Sequence, residues 1–191
     1  LALAAGLLAL AACERQAAPR FNGVDLSGAA YARDFELPDA EGRVRRLADF
    51  RGKVVVVFFG FTQCPDVCPT TMGELKAIKE ALGERGGDLV PVFISVDPER
   101  DTPELLRAYT AAFGPDFVAL RGSLEQTQAV TKEFKAYFAK VPAKEGSGYS
   151  VDHSAASYLF DRQGRVRVYS RYGAGTQPLL EDIKQLLAEK A

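Results

Sequence analysis

The sequence predicts an α/β fold, a central sheet flanked by helices with a hairpin on its N-terminal side. Two stretches carry most of that expectation, Lys53 to Phe61 (KVVVVFFGF) and Leu89 to Val96 (LVPVFISV). Both are apolar almost throughout rather than alternating, which marks strands covered on both faces. The third observation is order: a segment with helical spacing follows each run, and two further strands and a helix then close the chain.

Each element has its own signature. Leu1 to Ala12 (LALAAGLLALAA) is uncharged, and as a helix it would span roughly 18 Å, short of the ~30 Å core of a bilayer. It reads as the apolar part of an export signal, expected to be truncated because neither an initiator Met nor a basic segment precedes it. Leu10-Ala11-Ala12-Cys13 resembles the lipobox of bacterial lipoproteins. That makes residues 1–13 the anchor and Cys13 the lipidation site; an ordinary secretory signal with an incidental cysteine is the plainer alternative. Residues 14–30 are small, polar and turn-rich and read as a flexible tether, so the folded domain is expected over 31–191.

Within that domain, Phe35 to Leu37, the turn Asp39-Ala40-Glu41-Gly42 and Val44 to Leu47 form the hairpin. After the first apolar run, Pro69 suits the first turn of a helix, Leu75, Ile78 and Leu82 mark its buried stripe, and Gly83 ends it. Thr102 and Pro103 cap and open the next helix, with Leu105, Leu106, Tyr109 and Phe113 on one side. Phe117 to Leu120 is a short strand. Ser123 and Gln126 make a capping box for a helix expected to bury Val130, Phe134 and Tyr137 or Phe138. Val141 to Ser150, rich in Gly, Ser and Lys, reads as a mobile loop. Ser157 to Phe160 and Arg165 to Arg171 are strands, and Leu179, Leu180, Ile183, Leu186 and Leu187 face inward from a last helix. With two cysteines at the end of the first core strand, this order is thioredoxin-like, although C-x-x-x-C replaces the usual C-x-x-C and the chain has no Trp.

Composition removes some functions. The chain of 191 residues carries 24 basic and 25 acidic side chains, a net charge of −1, and no basic stripe interleaved with aromatics. Nucleic acid is therefore not an expected partner. A hydrophobic share of 47% supports a sizeable core.

The chemistry concentrates in FFGFTQCPDVCPTTM, Phe58 to Met72. If Cys13 carries lipid, Cys64 and Cys68 are the only thiols left of three, and outside the cytoplasm such a pair either closes into a disulfide or is kept reduced for a purpose. A helix start carries partial positive charge and unpaired N–H groups, so thiols placed there are expected to ionise readily. Side chains four apart on a helix-like turn lie on one side, about 5–6 Å between Cβ atoms. That spacing suits a disulfide and equally suits two sulfurs on one ion. His153, the one histidine, enters just before the penultimate strand, an entrance expected to lie near the dithiol. Two thiolates and an imidazole form a soft three-coordinate set that matches Cu(I) better than Mg or Ca. Zinc would want a fourth ligand, for which Asp152 could serve.

Three blocks, FFGFTQCPDVCPTTM, ISVDPERDTP and DHSAASYLFDRQG, resemble the signatures of the Sco (SenC) family of copper chaperones, thioredoxin-fold, membrane-tethered proteins that help assemble the binuclear copper site of cytochrome c oxidase. The resemblance runs from the first hairpin to the last helix. It implies that Cys64, Cys68 and His153 are copper ligands, that Asp152 is the acidic neighbour of the histidine, and that Asp97 belongs to the second block. It further implies copper, as Cu(I) or Cu(II), as cargo. The expected partners are the copper-binding subunit of the oxidase, an upstream copper donor and a thiol reductant protein. The expected place is the periplasmic side of the bacterial inner membrane, reached through the lipid anchor.

Structural readings stand beside these. Asp97-Pro98 after a strand is a common turn, Asp101 sits near a helix start where carboxylates are favoured, and Met72 fits core packing. By accepting a hydrogen bond from the imidazole, Asp152 could orient His153. Three functions follow: a copper carrier, a thiol–disulfide oxidoreductase using Cys64 and Cys68 as a redox-active pair, and a peroxiredoxin-like peroxidase. The last lacks the Pro-x-x-x-Thr-x-x-Cys approach to its cysteine. A bare structural disulfide would close too short a loop to stabilise much.

Overall fold

The structure, a computed structural model, describes residues 20–142 and 148–189. Strand β1 (Val24–Asp25) opens it, followed by the hairpin β2 (Glu36–Pro38) and β3 (Val44–Arg46). Next come β4 (Val54–Gly60), α1 (Val67–Ala81), β5 (Leu89–Ser95), α2 (Pro103–Ala111), β6 (Val118–Leu120) and α3 (Leu124–Glu133). A second hairpin, β7 (Phe138–Pro142) and β8 (Tyr149–His153), precedes β9 (Ser157–Phe160), β10 (Val166–Ser170) and α4 (Thr176–Ala188).

Six strands form one mixed sheet in the order β1-β10-β9-β4-β5-β6. β4, β5 and β6 run parallel, and β9 joins β4 antiparallel. β4 is central, and all seven of its residues are buried, as its unbroken apolar run requires. Pro91 is tolerated in β5 because the pairing with the short β6 begins only at Val92, leaving position 91 without a neighbour on that side. Phe58, Phe59, Phe93, Phe134 and Phe160 are fully buried between sheet and helices.

The helices start where the sequence signals put them. The Thr102 side chain accepts from the Leu105 N–H, with Pro103 in the first turn. Ser123 and Gln126 complete their capping box, with Gln126 N–H donating to Ser123 Oγ at 3.1 Å and Ser123 N–H to Gln126 Oε1 at 2.8 Å. On α4, Leu179, Leu180, Ile183, Leu186 and Leu187 are buried.

Three expectations need correction. The fold begins before Tyr31, because Val24 and Asp25 already pair with Tyr169 and Val168 of β10. The Asn22 and Gly23 N–H groups also donate to the buried Asp182 at 2.7 and 2.9 Å. The helix burying Val130 stops at Glu133, with Lys135 in the left-handed region at φ 51°. Phe138 therefore starts a strand, and Tyr137 is 62% exposed. The segment read as a mobile loop has ordered flanks, where Val141 and Pro142 pair with Ser150 and Tyr149. Residues 1–13, with Cys13, and the first part of the proposed tether lie outside the described residues. Among the described residues no helix is long and apolar enough to cross a membrane.

Candidate functional site

The parallel strands β4, β5 and β6 end on the same side, where α/β sheets gather their functional loops. β4 ends at Gly60 because nothing larger fits. A Cβ there would stand 2.8 Å from Cys68 Sγ, 2.7 Å from the Phe93 ring and 3.0 Å from the Phe58 ring. The turn that follows is tied to the end of β5 by Asp101, which is fully buried. Thr62 donates to Asp101 Oδ1 through its N–H at 3.1 Å and its hydroxyl at 2.6 Å, and Ser95 Oγ donates to Oδ2 at 2.6 Å. Burial pushes the Asp101 carboxyl up against the pull of these donors. Asp101 is thus a scaffold for the cysteine turn.

Cys64 closes that turn, its N–H donating to the Phe61 carbonyl at 3.2 Å. Asp66 occupies the N-cap position of α1, yet its side chain makes no cap bond. The Cys64 sulfur accepts instead from the Cys68 N–H at 3.4 Å, one of the orphan donors of the first helical turn. Cys64 is half-buried and Cys68 fully buried, and both are free thiols.

A helix start was expected to keep both thiols ionised, but the structure separates them. The Cys68 thiol donates to Cys64 and, despite burial, helps bring Cys64 from 9.0 down to about 4, with His153 and the backbone N–H groups of Asp66 and Cys68 adding to the pull. The same hydrogen bond, together with burial, pushes Cys68 up. Near neutral pH the metal-free site therefore holds one partly exposed thiolate beside one buried thiol.

His153 arrives on the last residue of β8. Its Nδ1 lies 3.0 Å from the Ser154 carbonyl. A carbonyl only accepts, so Nδ1 donates there, and Nε2 is the ring nitrogen left facing the sulfurs. Nε2 sits 3.6 Å from Cys68 Sγ, and the ring meets Phe58 and Phe61 edge-on at 6.1 and 5.8 Å between centroids. One ligand atom each from Cys64, Cys68 and His153 lies within 4.8 Å of the others. Two sulfurs and an imidazole nitrogen converging at that range fit a single soft ion.

The other candidates take different places. Asp152 is exposed on the strand face opposite its neighbours Val151 and His153, as strand alternation demands. The Ser154 carbonyl, not Asp152, orients the imidazole, and Asp152 is not among the converging groups. Asp97 is fully buried and does not touch the histidine; it accepts from the Tyr149 hydroxyl at 2.7 Å and from Arg100 Nε. Met72 is buried in the core. The sequence reading missed Gly60, Tyr149, Arg100 and the Ser154 carbonyl. Only Gly60 had a signal available, since glycine inside a strand marks close approach.

The model of the SCO1/SenC family matches residues 24–188. A SCO2-like protein of Rickettsia prowazekii is 38% identical over 151 residues, covering 78% of this chain and 74% of that protein. ScoI of Bradyrhizobium japonicum, solved with copper bound, superposes with a TM-score of 0.72 at 36% identity, covering 81% of this chain and 98% of that one. A SCO1/SenC family lipoprotein from Bacillus anthracis superposes with a TM-score of 0.66 at 29% identity, covering 80% of this chain and 92% of that one. A family match running from the first strand to the last helix, over a thioredoxin-like sheet that gathers two cysteines and a histidine, makes this chain a member of the SCO1/SenC family.

Proposed function

We propose that this protein is a copper carrier, binding one copper ion through Cys64, Cys68 and His153 and delivering it to the binuclear copper site of cytochrome c oxidase. The observation that carries the reading is the convergence of two sulfurs and one imidazole nitrogen within 4.8 Å. Copper-bound ScoI supports the choice of metal. The partly exposed Cys64 thiolate offers a first contact. Cys68 then gives up its proton as the ion binds, so uptake releases a proton and requires the reduced pair. Delivery proceeds by ligand exchange, in which thiols and imidazoles of the oxidase subunit replace these ligands in turn. Lipid anchoring through Cys13 on the periplasmic side of the inner membrane completes the proposal; the lipoprotein relative is consistent with it.

An anaerobic Cu(I) titration checks this. Uptake should saturate near one equivalent, and His153→Ala should weaken binding markedly while keeping the stoichiometry. Equal affinity in the variant would take the histidine out of the site.

The unequal thiols favour a second reading, a thiol–disulfide reductase. The Cys64 thiolate attacks one sulfur of a partner disulfide, the S–S bond breaks, and the partner's other sulfur leaves as a thiolate. Cys68, losing its proton, then attacks the Cys64 sulfur and frees the partner's first thiol. Two electrons pass to the partner, and the chain ends as a Cys64–Cys68 disulfide. A Cys68→Ser variant should then trap a mixed disulfide with the oxidase subunit.

A further inference from the structure

His153 reaches the cysteines on a hairpin outside the main sheet. Among the described residues, β7 and β8 pair with each other and with no strand of that sheet. The base of this arm is pinned next to the histidine, where Ser154 N–H donates to the Tyr137 carbonyl at 2.9 Å and Tyr137 N–H to Ser154 Oγ at 2.9 Å. Val151 packs into the core and Phe138 lies against it, and a second polar attachment holds the arm against the body at Tyr149. The Tyr149 hydroxyl donates to Asp97 Oδ1 at 2.7 Å, and Arg100 Nη1 donates to the Tyr149 carbonyl at 2.8 Å. The Arg100 guanidinium lies 3.8 Å from the ring centroid and Lys140 Nζ 4.6 Å from it. Lys140 in turn pairs with Glu99 at 2.5 Å.

This attachment is built and not incidental. Asp97 is fully buried, and Arg100 Nε bonds the same carboxylate. Arg100 Nη1 also donates to Gln63 Oε1 at 3.1 Å, the residue before Cys64. One guanidinium therefore touches the cysteine turn, the Asp97 loop and the histidine arm together.

Resting on the copper reading, we propose that Tyr149, Arg100 and Asp97 form a latch that keeps the histidine arm closed over the dithiol and sets how fast His153 lets go of the ion. Tyr149 and Arg100 are positioning residues, acting on copper only through His153. With the latch shut, the imidazole returns to the ion faster than a competitor replaces it. With the latch open, the ion is left on two sulfurs and passes on.

The test measures release of Cu(I) to a bicinchoninate chelator from reduced protein, for Tyr149→Phe and Arg100→Lys. Each removes donors and keeps the ring or the charge. Both variants should bind one Cu(I), melt close to the parent protein, and release copper about tenfold faster, the worth of a hydrogen bond to a charged group. In a His153→Ala background neither substitution should add anything, because the latch acts through that residue. Unchanged release in both variants, or equal acceleration without the histidine, overturns the proposal. Amide exchange in the hairpin of copper-free protein gives an independent readout. It should quicken in both variants, and unchanged exchange rejects the latch. Parent protein that takes up no copper would sink the copper reading, while the exchange measurement still decides whether the arm is latched.

Discussion

At the scale of single residues, the site works through inequality between like groups. Cys64 accepts from both the thiol and the N–H of Cys68, and these bonds give the negative charge to the accessible sulfur. Cys64 is held at about 4 by the donation from Cys68, with His153 and backbone N–H groups assisting. An ordinary cysteine titrates near ~8.5. The alkylation rate of Cys64 in reduced, metal-free protein should therefore stay on a plateau well below neutrality and fall with a midpoint near about 4, while Cys68 stays unmodified. The sign extends to stability. A thiolate depressed in the folded state contributes stability that is complete above the unfolded value and is lost as pH falls toward the folded one. A midpoint near ~8.5 would mean that the two thiols are not coupled. The histidine shows the same economy. Its Nδ1 is held by a backbone carbonyl and not by the adjoining Asp152 side chain.

At the scale of elements, the cysteine site depends on how closely β4 and α1 meet. Gly60 lets the Cys68 sulfur sit against the strand, where a Cβ would stand 2.8 Å away. Gly60→Ala should force the sulfur or the Phe93 ring aside, costing about 1–3 kcal/mol in denaturant unfolding and weakening copper uptake. Unfolding unchanged from the parent would mean that the helix yields without strain. The strands and helices were readable in the sequence wherever a local rule governs them. The uniform apolar run gave β4, and caps at Thr102 and Ser123 gave α2 and α3. Cys64, Cys68 and His153 were readable as well, from their spacing and their family blocks. The histidine arm was not. Its pairing of Phe138–Pro142 with Tyr149–His153 brackets a segment rich in Gly, Ser and Lys, and the composition of that segment hides the strands on either side. The assignment of Asp152 as the histidine's partner failed for a related reason, since neighbours along a strand point to opposite faces.

At the scale of the whole molecule, the N-terminal stretch belongs to the fold. β1 covers the edge of β10, and the N–H groups of Asn22 and Gly23, with the Asn22 side-chain amide, satisfy the buried carboxylate of Asp182 on α4. A protein beginning at Tyr31 would leave that carboxylate buried without these donors, at a cost of about 1–3 kcal/mol or more. It should melt below one beginning at Arg20; equal melting temperatures would show that the first strand contributes nothing. The arrangement also places β1, the first described strand, at the sheet edge opposite β6.

The depth of Cys68 has one more consequence. Its sulfur has no exposed surface, whereas Cys64 is open to one side. Under the proposed carrier function, an incoming thiol would replace Cys64 or the imidazole from outside and would meet the inner sulfur only after both had yielded. The bond to Cys68 would then break last, and a half-completed exchange would stay moored to this protein until the acceptor had supplied most of the new coordination.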